Sequence, residues 1–152
     1  LVQDKYLKDA GAEFTETYAA IQAIRLAQEA GILPKEKAAG AFHFMLDRPK
    51  MADLVIPDLA RWQDWTVLDR MVSLFVTADS ESAWVRVPVL HYLQACPLPE
   101  AKKQLTRLAE LDPTAAKQAQ SLLLPGAGQA PAPAEKPAAK DGAKQTTSKA
   151  SK

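Results

Sequence analysis

Leu54–Phe75, LVIPDLARWQDWTVLDRMVSLF, is the most apolar long run in the chain that still carries helix signals, and it holds two of the three tryptophans. Proline has no N–H and clashes with the preceding helical turn, but it fits a first helical position. The run therefore breaks near Pro57, into a short helix over Met51–Ile56 and a new turn over Pro57–Trp62. Gln63–Trp65 makes a tight corner. Thr66 is the expected N-cap of the next helix, with Asp69 three residues on, the spacing of a capping box. From there Val67, Leu68, Met71, Val72 and Phe75 form one apolar stripe, with Asp69, Arg70 and Ser73 off it.

Trp62 and Trp65 flank the corner, and two readings fit them. An indole buries a large area and brings one N–H that needs a partner, so the pair can pin two helices across a short turn. Left exposed, the same pair could grip a sugar ring or a peptide. Together with Arg61 beside them and Arg86, a main polar exit of a later apolar helix, they are the candidate interaction residues.

Outward from this stretch the chain reads as helix throughout. Phe14, Tyr18, Ile21, Ile24 and Gln28 lie near one face of a helix that Gly31 closes at the position after its last turn. Leu33-Pro34 opens the next, which ends before Asp47-Arg48-Pro49. Beyond the central run, Ala83–Cys96 is apolar almost all round, as a helix buried between neighbours would be. Pro88 should kink it, unless the helix starts late enough to hold Pro88 in its first turn. Pro97-Leu98-Pro99 starts a further helix with Ala101, Leu105, Leu108 and Leu111 facing inward. Asp112-Pro113 caps the last one, whose face is mostly alanine and leucine.

Two segments echo each other. Tyr18–Gly31 with Leu33-Pro34 and Asp47-Arg48-Pro49 parallels Trp84–Cys96 with Leu98-Pro99 and Asp112-Pro113. Recurring helix pairs suggest stacked hairpins. The stretch Ser82–Leu93, SAWVRVPVLHYL, resembles the second helix of a HEAT-like repeat, in which a small polar cap precedes a Val-Arg pair, here Val85-Arg86. Pro88, Val89 and Tyr92 stand where that family usually has alanine. The resemblance implies a scaffold whose curved surface binds other proteins. The run Met51–Phe75 also resembles a recurring segment of uncharacterised bacterial helical proteins with Ala/Pro/Lys-rich C-termini, and that resemblance implies no activity.

The 152 residues, 47% hydrophobic and 24% charged, suit one globular domain with a net charge of +1. Residues 125–152 hold five lysines and two acids, a net of +3, so the rest sums to −2. That tail has no aromatic or branched aliphatic residue and cannot offset its chain entropy, so it is expected to be disordered. No apolar run is long enough to span a membrane. The start at Leu1, without an initiator methionine, suggests a piece of a longer protein or a mature product. Cys96 stands alone and has no internal disulfide partner.

Catalytic patterns are missing from the chain. His43 and His91 are far apart, and His43 with Asp47 offers two metal ligands at most where zinc needs three or four. There is no phosphate-binding glycine loop. Asp47, Asp53, Asp58, Asp64 and Asp69 sit where caps and first-turn acids belong. Lys102, Lys103, Arg107 and Lys117 make a basic strip, but Glu100 and Glu110 dilute it and no aromatic interleaves it, so no nucleic-acid partner is expected.

The expected architecture is all-α: about seven helices over residues 1–124, stacked as antiparallel hairpins in a short HEAT-like array, followed by the tail at 125–152. The expected function is a non-catalytic scaffold or protein-interaction module within a larger bacterial protein, with a protein partner and no cofactor or metal. Two alternatives are a helical accessory domain packed on an enzymatic or sensor domain, and a small-ligand binder at the Trp62/Trp65 corner.

Overall fold

The computed structural model describes Leu7 and residues 13–122. The tail at 125–152 and residues 1–12, Leu7 apart, lie outside them. Among the described residues there are eight α-helices and no strand. They are α1 (Phe14–Glu29), α2 (Lys35–His43), α3 (Pro49–Ala52), α4 (Ile56–Arg61), α5 (Leu68–Thr77), α6 (Arg86–Ala95), α7 (Pro99–Leu111) and α8 (Pro113–Ser121). Short 3-10 turns at Phe44–Asp47, Trp65–Val67 and Ala83–Val85 lead out of α2 and into α5 and α6.

The hub is α6, rather than the central run. It touches α4, α5, α7 and α8, and buries Val89, Leu90, Tyr92 and Leu93 among them. A side chain on a helix enclosed by four neighbours finds apolar atoms in every direction, which is what its all-round apolar pattern requires. Pro88 falls in the first turn of α6, where a missing N–H costs nothing, so the later start holds. The thiol of Cys96, just past α6, is buried as well.

The central run breaks earlier than expected. The chain leaves helix after Ala52, turns through Asp53–Val55, and re-enters at Ile56 with Pro57 in the first turn of α4. The same rule about proline holds, with α3 started in turn by Pro49. At the corner Asp64, not Thr66, is the cap: its side chain accepts from the Thr66 N–H. α5 then buries Leu68, Met71, Leu74 and Phe75, close to the expected stripe.

α1 is peripheral, and α2 is its principal neighbour. Its buried face is Thr17, Ala20, Ile21 and Ile24, rotated from the expected one. Phe14 and Tyr18 stack on each other outside it, 57% and 43% exposed. Gly31 ends α1 with φ 72°, the left-handed conformation that a glycine adopts without penalty. The Leu33-Pro34 and Leu98-Pro99 corners each join a helix pair, α1 to α2 and α6 to α7. In α7, Ala101 and Leu108 are buried, whereas Leu111, expected inside, is 60% exposed. α8 packs through Ala115 and Ala119, whose small side chains let it lie close to α6 and α7.

A part-buried ion pair ties α1 to α4. Asp58, 5% exposed, takes Nε and a terminal nitrogen of Arg25 at 2.8 and 2.6 Å, and Arg61 at 2.8 Å. Arg25 also donates to the Leu54 carbonyl. This bridge from α1 to α4 satisfies a carboxylate that would otherwise be costly to bury.

Replacing a fully enclosed hub residue, Leu93→Ala, is expected to cost about 2–5 kcal/mol by urea unfolding. Pro88→Ala should change stability by less than about 1 kcal/mol, because Pro88 interrupts no helical hydrogen bond. A large effect at Pro88 would place it inside a helix instead.

Candidate functional site

The corner between α4 and α5 is built by its own polar groups. Trp62 ends α4, Gln63 takes φ 59°, and Asp64 returns to extended backbone. Gln63 is the one non-glycine residue with positive φ among the described residues, a conformation that costs a side-chain-bearing residue energy. The Asp64 N–H donates to Leu59 O, and its carbonyl accepts from the Tyr92 hydroxyl at 2.6 Å. Its Oδ1 accepts from the N–H and hydroxyl of Thr66 at 3.2 and 2.6 Å, and its Oδ2 from His43 Nε2 at 2.6 Å. Burial pushes the Asp64 carboxyl up. The hydrogen bonds from Thr66 and His43 outweigh it and hold the group below its ordinary value. Asp64 is therefore an acceptor, which makes Nε2 the protonated ring nitrogen of His43.

Between this corner and α2 lies an open groove of about 360 Å³. One wall is α2, with Lys35, Glu36, Ala39 and His43; the other is Trp62, Gln63, Asp64 and Thr66. Lys35, Ala39 and His43 recur every four residues, so they line a single edge about 12 Å long at 1.5 Å rise per residue. Ala39 leaves room where a larger side chain would fill the groove.

Trp62 is 5% exposed, stacked on Phe42 at 5.2 Å, with its N–H donated to Gln28 at 3.1 Å. Trp65 is half-buried, edge-on to the ring of Tyr92 at 5.2 Å. Both indoles pin the corner, and Trp62 also lines the groove. Arg61 is half-exposed and spans Asp58 and Glu29. Arg86 is the first residue of α6 and lies over the Phe75 ring at 5.4 Å. It donates to the carbonyls of Phe75 and Ala78 at the end of α5 and to Asp112 at 2.9 Å. The four candidate interaction residues are thus spread over two regions, and three of them border the corner.

Both histidines make contacts between elements, His43 with Asp64 at the corner and His91 with α8. His91 meets the Ala119 carbonyl of α8 at 2.9 Å. No group of three or more potential metal ligands occurs among the described residues. The acidic series divides: Asp47 pairs with Arg70, Asp58 with two arginines, and Asp64 with His43. Asp53 differs, because its Oδ1 is buried with no hydrogen-bond partner. Burial pushes that carboxyl up, partly opposed by nearby backbone N–H groups and the Trp84 indole. Asp112 caps α8, and the Ala115 N–H, with help from Arg86, holds it below its ordinary value.

Sequence reasoning missed the His43–Asp64 pair. The two are 21 residues apart on different elements, and neither has a local partner that hints at the other. No helix among the described residues is long and apolar enough to cross a membrane. Compared with known protein families, curated proteins and solved structures, the chain matches none.

The carboxylates make stability depend on pH in two directions. Asp64 and Asp112, with depressed folded values, contribute stability above their ordinary value of 3.8 that is lost as pH falls through the folded value. Asp53 has a raised folded value, so its contribution is full below 3.8 and is lost as pH rises through the folded value. Urea unfolding across pH 3 to 7 is expected to show Asp64→Asn less stable than the parent at neutral pH, with the gap closing in acid. Asp53→Asn should be more stable than the parent at neutral pH, and that advantage should vanish in acid. Tyr92→Phe removes the tie to Asp64 and should cost about 1 kcal/mol or more, since it orphans a buried carbonyl.

Proposed function

We propose that the chain is a non-catalytic helical interaction module that engages a protein partner through the outer side of α1. The observation that carries this reading is the stacked pair Phe14 and Tyr18, solvent-facing on a helix that packs chiefly against α2. Leu26 and Ile32, 68% and 80% exposed, add apolar surface on α1 and the turn after it. Aromatic side chains offer large contact area at small entropic cost, and they are over-represented where proteins bind each other. The partner that fits is an apolar helix face laid along α1, supplied by another protein or by a further domain of the same polypeptide. The HEAT-like reading belongs to this proposal. It rests on the sequence resemblance of Ser82–Leu93 alone.

Photo-crosslinking tests it. A benzophenone side chain at position 18 is expected to capture a discrete protein species in extract of the source cells. The same group at position 106, on the exposed side of α7, should capture none. Adducts at both sites alike, or at neither, would overturn the reading. Phe14→Ser with Tyr18→Ser should abolish capture from a probe at position 22 while leaving the helical circular dichroism intact, because both rings lie outside the core.

A further inference from the structure

We propose that the groove between α2 and the tryptophan corner is a binding site for a small zwitterion with an apolar body, of the class of a dipeptide with free ends. This stands on the groove itself and is independent of the α1 surface. Its charges come in both signs. Lys35 and Glu36 sit at one end of the α2 edge, and neither has an ion-pair partner among the described residues. At the other end, about 12 Å along the helix, is His43, which holds the carboxylate of Asp64. Between them lie Ala39 and the ring of Trp62.

A purely anionic ligand would meet Asp64 and Glu36, and a purely cationic one would meet Lys35. A zwitterion lying along the groove places its carboxylate by the Lys35 ammonium and its own ammonium by Asp64. The Asp64 carboxylate, 12% exposed in the groove wall, keeps an unused acceptor position. Oδ1 already accepts two hydrogen bonds from Thr66, whereas Oδ2 accepts one, from His43. Because Asp64 is already held ionised and oriented, no reorganisation is needed before a donor arrives. The middle of the groove is apolar and suits an aliphatic side chain. Its volume is at the small end of the range for ligand pockets, which favours two residues over a longer peptide.

The test is a heteronuclear NMR titration of the full chain with L-leucyl-glycine, its N-acetyl derivative and its C-terminal amide. The free dipeptide is expected to shift the backbone amides of Gln63 and Thr66 and the His43 ring signals in a saturable way, with a Kd of about 1 mM or tighter. Capping either end should weaken binding about tenfold, since each cap removes one charged contact. Lys35→Met, at an exposed position, should weaken the free dipeptide and its N-acetyl derivative but leave the amide unchanged. His43→Gln should weaken binding of the amide as well, through the loosened Asp64 carboxylate. No saturable shift with about 10 mM dipeptide, or equal affinity for all three compounds, would overturn the proposal. So would shifts confined to α7 and α8.

Discussion

The hydrogen bond from the Tyr92 hydroxyl to the Asp64 carbonyl joins the hub helix to the corner, and much of the rest depends on it. Tyr92 is fully buried, and its hydroxyl had to find an acceptor inside. The corner had the converse need, because a chain that reverses between two helices leaves backbone carbonyls without helical partners. Each group answers the other. Burial also pushes the phenol far above its usual range, so the hydroxyl stays protonated and a donor around neutral pH. With the Asp64 backbone held from below, its side chain is free to face α2, where it meets His43.

Much of this fold is legible in the chain. Proline at positions 34, 49, 57, 99 and 113 stands within one residue of the start of a helix, and Gly31 marks an end. The all-round apolar character of Val85–Leu93 announced a helix with neighbours on most sides. What misled were faces and edges. Phe14, Tyr18 and Leu111 are apolar at plausible inward positions, yet α1 and α7 present neighbouring strips instead. On a helix that touches little, a rotation by part of a turn exchanges one apolar strip for another at small energetic difference, and the pattern alone does not choose. The short helix expected over Met51–Ile56 instead runs Pro49–Ala52, because Pro49 is as good an initiator as Pro57, and Ile56 already belongs to α4.

The candidate site was half visible. Trp62 and Trp65 drew notice as large side chains beside a turn, and their place as anchors follows from area and from one N–H seeking one acceptor. Gln28, which supplies that acceptor to Trp62, could not be singled out, since it lies 34 residues away on another helix. The same holds for Arg25 with Asp58 and for His43 with Asp64. Polar pairs between elements depend on how helices cross, and crossing is settled by the packing of many apolar residues at once. Only the local caps, such as Asp112 before Pro113, announce themselves by spacing.

The sheltered sulfur of Cys96 carries a consequence of its own. It sits just past the last turn of the hub, 2% exposed, and it is the chain's single cysteine. A thiol-specific reagent therefore reaches it only when the hub's C-terminal end parts from its surroundings. The speed of that one modification becomes a stopwatch for the innermost opening of the protein, readable without mutation or label, and any ligand that tightens the assembly slows its hand.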